Sequence, residues 1–297
     1  MYRDAFSGFH PVVNFIYFFL VLAFTMVFMH PLSLGISFIC GLAYLVKLKG
    51  SRNAWRSLLY MLPLMLMAAL INPAFNHEGQ TILVYLPSGN PLTFESILYG
   101  LAAAVMLAST AVWFSCYTEV MTSDKFVYLF GRIIPALSLV LSMALRFVPR
   151  FKARFRIVSE AQRYIGRDTA SGGLLKRIKN LGTILSVMIT WCLENAIETA
   201  DSMKSRGYGL PGRTAFSVYR MDDRDRTALG WLGFCGFYII CGAAAGGMNW
   251  RYYPTVKCTA WGAFPISFQL IYMLLCLTPS VIDLMEERKW KHSRYKV

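Results

Sequence analysis

Long hydrophobic segments come in two groups, four before and two after a basic, mostly polar block, and this order constrains the fold more than any other feature of the chain. The segments lie at 11–29, 31–47, 55–75, 95–116, 227–248 and 261–282. Each approaches the roughly 20 apolar residues that cross about 30 Å of hydrocarbon. Soluble domains are about 45–50% apolar, whereas this one is 56%. The expected fold class is therefore all-α, a polytopic membrane helix bundle of about six spans. Its regions are 1–116, N-terminal transmembrane helices; 117–226, a cytoplasmic region of basic amphipathic helices; and 227–297, C-terminal transmembrane helices with a basic cytoplasmic tail.

A formal net charge of +14 raises the question of nucleic acid, but the placement of the charge answers it. Eighteen of the thirty Lys and Arg fall in 117–226, four at Lys47, Lys49, Arg52 and Arg56, five after Asp283, one at Arg3 and none in 76–94. With the N- and C-termini cytoplasmic in a multi-pass cell-membrane protein, the Lys/Arg-rich loops fall inside and the poor ones outside. The charge records topology, and no nucleic-acid partner is expected. The first stretch is too long for a signal-peptide core and lacks a small-x-small cleavage site after it, so it is expected to remain as a span. Seven cysteines, without a C-x-x-C pair, read as buried apolar fillers.

Two further windows, 126–145 and 181–193, are apolar enough to compete as spans. Were both to cross, the ten Lys and Arg of 146–180 would face outside and invert the charge rule, so they are expected as helices against the cytoplasmic leaflet. From Arg146 the pattern becomes amphipathic, with Phe147, Phe151, Phe155, Val158, Gln162 and Ile165 at helical spacing. Arg146, Arg150 and Arg154 form a basic face, suited to anionic lipid headgroups, to an acidic protein surface or simply to solvent. This helix is expected to stop at Gly166, where glycine tolerates the left-handed conformation that closes many helices. After the loop Thr169-Ala170-Ser171-Gly172-Gly173, a second helix is expected from about Leu175 to Arg206, ended by Gly207 and the following Tyr208-Gly209-Leu210-Pro211-Gly212. Arg206 then complements the negative end of the helix dipole, a role that an ordinary helix cap also fills.

The run Ser123-Asp124-Lys125 through Leu129, Arg132, Pro135-Ala136-Leu137, Leu141-Ser142-Met143 and Leu145-Arg146-Phe147-Val148-Pro149-Arg150, with Glu160-Ala161-Gln162-Arg163 and Ala200 through Tyr208, resembles the transmembrane T component (EcfT/CbiQ family) of energy-coupling factor transporters. The resemblance implies a non-catalytic subunit of an ATP-driven importer, with no cofactor of its own. It implies two ABC-type ATPase subunits as partners, a substrate-binding S component and the lipid bilayer. In such proteins two coupling helices each end in Ala-Arg-Gly, whose arginine docks into an acidic groove on an ATPase. Here the second motif is Ser205-Arg206-Gly207. The first is Tyr164-Ile165-Gly166, with Ile165 at the arginine position and Arg163 and Arg167 beside it. Replacing Ile165 by arginine is expected to be tolerated if that position is merely degenerate.

The sequence contains no G-x-x-x-x-G-K-[ST] phosphate loop and no H-E-x-x-H motif, and its four histidines lie far apart, so neither ATP binding by a P-loop nor a metal site is expected. Acidic residues within the spans are scarce, which disfavours a self-sufficient membrane carrier. A membrane-surface lipid or phosphotransfer enzyme is disfavoured because Glu160, Glu194, Glu198 and Asp201 lack paired-site spacing.

Overall fold

The computed structural model describes residues 4–85, 91–131, 134–167, 173–211, 219–247, 250–258 and 262–294. Arg3, Arg132, residues 169–172 and Gly212, singled out above, lie outside this set. Nine α-helices occur among the described residues: α1 (Pro11–Val27), α2 (Pro31–Lys49), α3 (Ser51–Phe75), α4 (Phe94–Val120), α5 (Ser123–Gly131), α6 (Pro135–Tyr164), α7 (Leu174–Ser205), α8 (Asp223–Ala244) and α9 (Ala263–Arg294). The expected all-α class needs one addition. Two short antiparallel hairpins, β1–β2 (Ile82–Tyr85, Pro91–Thr93) and β3–β4 (Trp250–Arg251, Lys257–Cys258), occupy the connections α3–α4 and α8–α9. The chain divides into two units, Met1–Thr122 with Tyr219–Val297, and Ser123–Val218.

In the first unit, α2, α3, α4, α8 and α9 are long and apolar enough to cross a membrane, and α1 is an apolar helix of 17 residues. Both α1 and α2 begin at a His-Pro pair. Proline at the first helical position gives up only an N–H that would be unpaired anyway. The preceding histidine supplies the cap, with His10 Nδ1 accepting from Val12 N–H (3.3 Å) and His30 Nδ1 from Leu32 N–H (3.2 Å).

The core is aromatic. Tyr17 and Phe18 of α1 set their rings edge-on to Trp113 of α4, at 6.0 and 6.4 Å. Its polar atoms are paired internally, as water-free surroundings demand. Trp113 Nε1 donates to Ser37 Oγ (2.9 Å), and Thr25 Oγ1 lies 2.8 Å from Ser37 Oγ and 3.0 Å from Tyr272 Oη. By contrast, α3 buries only Ala54 and runs along the outside of the unit. Gly100 lets α4 approach it closely, since a Cβ there would meet the Ala69 carbonyl oxygen at 2.6 Å. Four cysteines, Cys40, Cys116, Cys235 and Cys276, are buried as fillers, but Cys241 is exposed on α8 and Cys192 is half-buried on α7.

The two ends of this unit differ in chemistry. At one end Lys47 pairs with Asp283 (3.8 Å) and Lys49 with Glu119 (3.2 Å). Arg224 there pairs with Glu286 (2.8 Å) and covers the Phe9 ring at 4.3 Å. Asp225 joins two helix starts at this end, accepting from His10 N–H through Oδ1 and from Asp222 N–H through Oδ2, both at 3.1 Å. At the opposite end Glu95 is buried and accepts from Thr81 Oγ1 (2.7 Å), and the helices are joined by uncharged groups. Tyr252 Oη donates to the Met29 carbonyl (2.8 Å), Asn72 Nδ2 to Tyr253 Oη (3.0 Å), and Gln269 pairs with Ser33.

The N-terminal segment is fastened at the charged end. Asp283 Oδ1 accepts from Ala5 N–H (2.7 Å), while Asp4 Oδ2 accepts from Tyr44 Oη (2.5 Å). Burial, and then the Asp283 carboxyl beside it, push the Asp4 carboxyl up to about 7. The neutral form is thus the one that folding favours, so stability is greatest below the unfolded value of 3.8 and declines as pH rises toward 7. The groups facing Asp4 are Asp283, Tyr44 and, through Asp283, Lys47. Asp4→Asn is expected to flatten the decline in thermal stability between about pH 5 and about pH 8, measured in detergent by fluorescence-monitored unfolding. A slope unchanged from wild type would show that Asp4 does not hold the proton.

Candidate functional site

The second unit contains α5, α6 and α7. The expected helix from Arg146 to Gly166 begins earlier, because Pro135 starts α6 at its first position and the helix continues through Pro149 to Tyr164. The apolar window 126–145 is therefore shared between the end of α5 and the first turns of α6. The second helix, expected from Leu175 to Arg206, is α7, Leu174–Ser205.

The two long helices meet along a narrow seam. Val158, Ile184 and Met188 are buried in it, with Phe151, Phe155 and Trp191 packed against them. Phe147 stacks on Trp191 at 5.6 Å and 24°. That stack lies 17 residues before the end of α6 and 17 residues after the start of α7. Equal legs joined by a short connection make the pair an antiparallel hairpin, because a parallel pair would require a link of about 50 Å. The end of α6 lies at the closed end of this hairpin. The end of α7 runs the other way, 15 residues beyond Trp191 to Arg206, or about 22 Å at 1.5 Å per residue.

Both ends close with the same turn. At α6, Ile165 is the C-cap (φ −88°, ψ 7°) and Gly166 follows at φ +79°. Gly166 N–H donates to the Arg163 carbonyl (3.0 Å) and Arg167 N–H to the Gln162 carbonyl (2.9 Å). At α7, Arg206 is the C-cap (φ −86°, ψ 9°) and Gly207 follows at φ +74°. Gly207 N–H donates to the Lys204 carbonyl (3.0 Å) and Tyr208 N–H to the Met203 carbonyl (3.1 Å). This is the Schellman pattern, and its positive φ is why glycine stands at each position. Position for position, Ile165 corresponds to Arg206 and Gly166 to Gly207.

The side chains at the two ends differ. Arg206 is exposed, and Ser205 Oγ donates to the Ser202 carbonyl (2.9 Å), so its hydroxyl is used within its own helix. At the other end Tyr164 is 91% and Ile165 70% exposed, with Arg163 and Arg167 exposed around them. Helical spacing placed Ile165 on the apolar seam of α6. The turn removes it, since its φ and ψ have left the helix and no α7 residue covers it.

On the basic face, Arg146 and Arg150 are exposed. Arg154 is exposed too, but its guanidinium lies over the Trp191 ring at 5.6 Å and so helps to close the seam. Spacing offered a sign of this, since Arg154 stands three residues after Phe151 and seven after Phe147, at the edge of the apolar stripe. Among the described residues, no group of three His, Cys, Asp or Glu side chains is arranged to hold a metal.

Comparison with known proteins supplies the family. The family model described as "CbiQ: Cobalt transport protein" matches residues 7–216. Proteins named energy-coupling factor transporter transmembrane protein EcfT are similar to this chain. The one from Lactobacillus helveticus is 38% identical over 99 residues, 33% of this chain and 36% of the relative. The one from Lactococcus lactis is 37% identical over 90 residues, 30% of this chain and 34% of the relative. In these two the match spans about a third of the relative's length. The EcfT of Bacillus selenitireducens is 25% identical over 230 residues, 74% of this chain and 85% of the relative. A match that runs through the apolar helices α1–α4 and both glycine-closed arms makes the chain a member of the CbiQ/EcfT family of membrane proteins.

Proposed function

We propose that this chain is the energy-coupling transmembrane subunit of an energy-coupling factor importer. In this reading α1 is the sixth span, beside the five longer helices. The charged end of the bundle faces the cytoplasm, with both termini, because Lys47, Lys49 and the two connections to the second unit all belong to that end. The chain itself is not an enzyme. Two ABC-type ATPase subunits dock on the ends of α6 and α7, and their ATP-driven closure moves the arms. That movement reorients a membrane-embedded S component, which carries a vitamin, another micronutrient or a metal ion.

The observation that carries this reading is the pair of helix ends closed by the same glycine turn, one presenting Arg206 at the C-cap. A guanidinium there is held out from the helix terminus, where it can pair bidentately with a carboxylate. The test is copurification. Solubilised in mild detergent from its native membranes, the tagged chain is expected to bring down ATPases with a phosphate-binding loop and at least one small apolar membrane protein. A monodisperse chain that captures no ATPase would sink the assignment.

A further inference from the structure

We propose that the β1–β2 hairpin lies in the outer-leaflet interface of the membrane, with lipid against both faces of β1. The leaflet rests on the reading of the charged end of the bundle as cytoplasmic, since α3 starts beside Lys49 at that end and the hairpin follows its other end.

Successive side chains of a strand point to opposite faces, so Ile82 and Val84 lie on one face of β1 and Leu83 and Tyr85 on the other. A hairpin that packs on protein and meets water alternates, apolar inward and polar outward. This strand does not. All four side chains are aliphatic or aromatic, and all four are between 48% and 65% exposed. No Asp, Glu, Lys or Arg occurs in 79–94. A protein seated on one face would leave the other in water, whereas lipid reaches both.

The base of the hairpin is built differently. Glu95 accepts from Thr81 Oγ1 (2.7 Å), Thr93 Oγ1 donates to the Glu78 carbonyl (2.9 Å) and Ser96 Oγ to the Asn76 carbonyl (2.8 Å). Thr93, Glu95 and Ser96 are buried there. Gly79, at φ +147°, closes the base so tightly that a Cβ would meet Glu95 Oε2 at 2.6 Å. Polar groups are thus satisfied inside the protein while the apolar strand is held outside it. In water that strand would forgo the free energy gained by removing apolar surface from solvent.

The level of the membrane is marked on α3. From Trp55 to Phe75 none of its side chains is buried in protein, so a spanning α3 meets hydrocarbon along its length. Trp55 and Phe75 are both strongly exposed and stand twenty residues apart, about 30 Å at 1.5 Å per residue, which matches the hydrocarbon thickness. Near Phe75, Asn72 bonds to Tyr253, and the rings of Tyr252 and Tyr253 each lie 5.4 Å from Tyr99. Such aromatic groups gather at membrane interfaces. The hairpin joins this end of α3 to the start of α4. Its unpaired strand edge excludes the hydrocarbon core, where backbone groups would find no partner, and confines β1 to the headgroup level.

The experiment uses the full chain, purified with the proteins that accompany it and reconstituted in vesicles of phosphatidylethanolamine and phosphatidylglycerol. An environment-sensitive fluorescent amino acid replaces Leu83 or Val84, one on each face. At both positions, lipid bearing a nitroxide just below the headgroup is expected to quench several-fold more than iodide in the water. Val84→Asp should reverse that ratio for the fluorophore at 83 and leave the unfolding temperature in detergent unchanged, because β1 contributes nothing to the core. Dominant iodide quenching at both positions, without Val84→Asp, overturns the proposal and leaves the hairpin in water. Shielding from both quenchers at either position overturns it too, in favour of a protein partner on that face. Glu78→Cys, at the hairpin base, should react with a membrane-impermeant maleimide added to intact cells, above the wild-type background. Reaction only after permeabilisation overturns the outer-leaflet assignment. Quenching needs no ATPase, so a chain that captures none fails as a coupling subunit while this result can still be read.

Discussion

Arg206→Glu is expected to abolish ATPase capture and substrate uptake while leaving membrane insertion and monodispersity unchanged. Three effects add in the same direction. The variant loses the proposed charge-assisted pair with a partner carboxylate, and truncating one member of such a buried pair costs about 2–5 kcal/mol. It then sets a carboxylate against a carboxylate. It also places a negative charge at the negative end of α7, where Lys204 and Arg206 now complement the dipole. Since Arg206 is exposed at a helix terminus and not packed in the α6–α7 seam, the fold has little to lose. Arg206→Lys separates charge from geometry. A lysine keeps the positive charge but not the planar fork, so partial capture is expected. The measurements are ATPase yield after affinity purification and uptake into proteoliposomes, and normal uptake by Arg206→Glu would remove Arg206 from the docking contact.

The same terminus shows what the sequence discloses and where it stops. A glycine after a charged helical stretch announces a helix end, and both arms end within two residues of where glycine places them. The composition of the spans was equally plain, because hydrocarbon imposes one solution on the backbone. Hydropathy, however, marks hydrocarbon and not helix boundaries. The last apolar segment ends at 282, yet α9 continues to Arg294, since a helix can run on into water without an apolar face.

Caps made by unusual residues were also hidden. His10 and His30 looked like scattered histidines, and only the structure shows each accepting from the second N–H beyond it, ahead of a proline. Periodicity misplaced Ile165, because a 3.6-residue pattern extrapolates through the turn that in fact turns the side chain outward. Arg154 was legible as basic but not as a lid on Trp191, a contact that depends on a partner helix some forty residues away.

Ile184→Asp is expected to disconnect the two arms even though both docking ends remain chemically intact. Ile184 is fully buried, and the seam around it consists of few side chains: Val158, Met188, and the rings of Phe151, Phe155 and Trp191. A carboxylate there would be set among apolar side chains, and a buried charge left without a matched partner costs about 3 kcal/mol or more. So small a contact cannot absorb such a loss by repacking. The arms are expected to separate, and backbone amides of α6 between Phe147 and Tyr164 should exchange with deuterium at least about tenfold faster. Ile184→Val, which removes one methylene from the same site, is expected to cost only about 1 kcal/mol and to preserve protection. Function discriminates between a seam that merely holds two helices and one that carries force. If the hairpin transmits ATPase closure, Ile184→Asp should still capture ATPase through Arg206 but hydrolyse ATP without uptake. Uptake at the wild-type rate, with α6 amides exposed, would mean that each arm acts on the bundle alone.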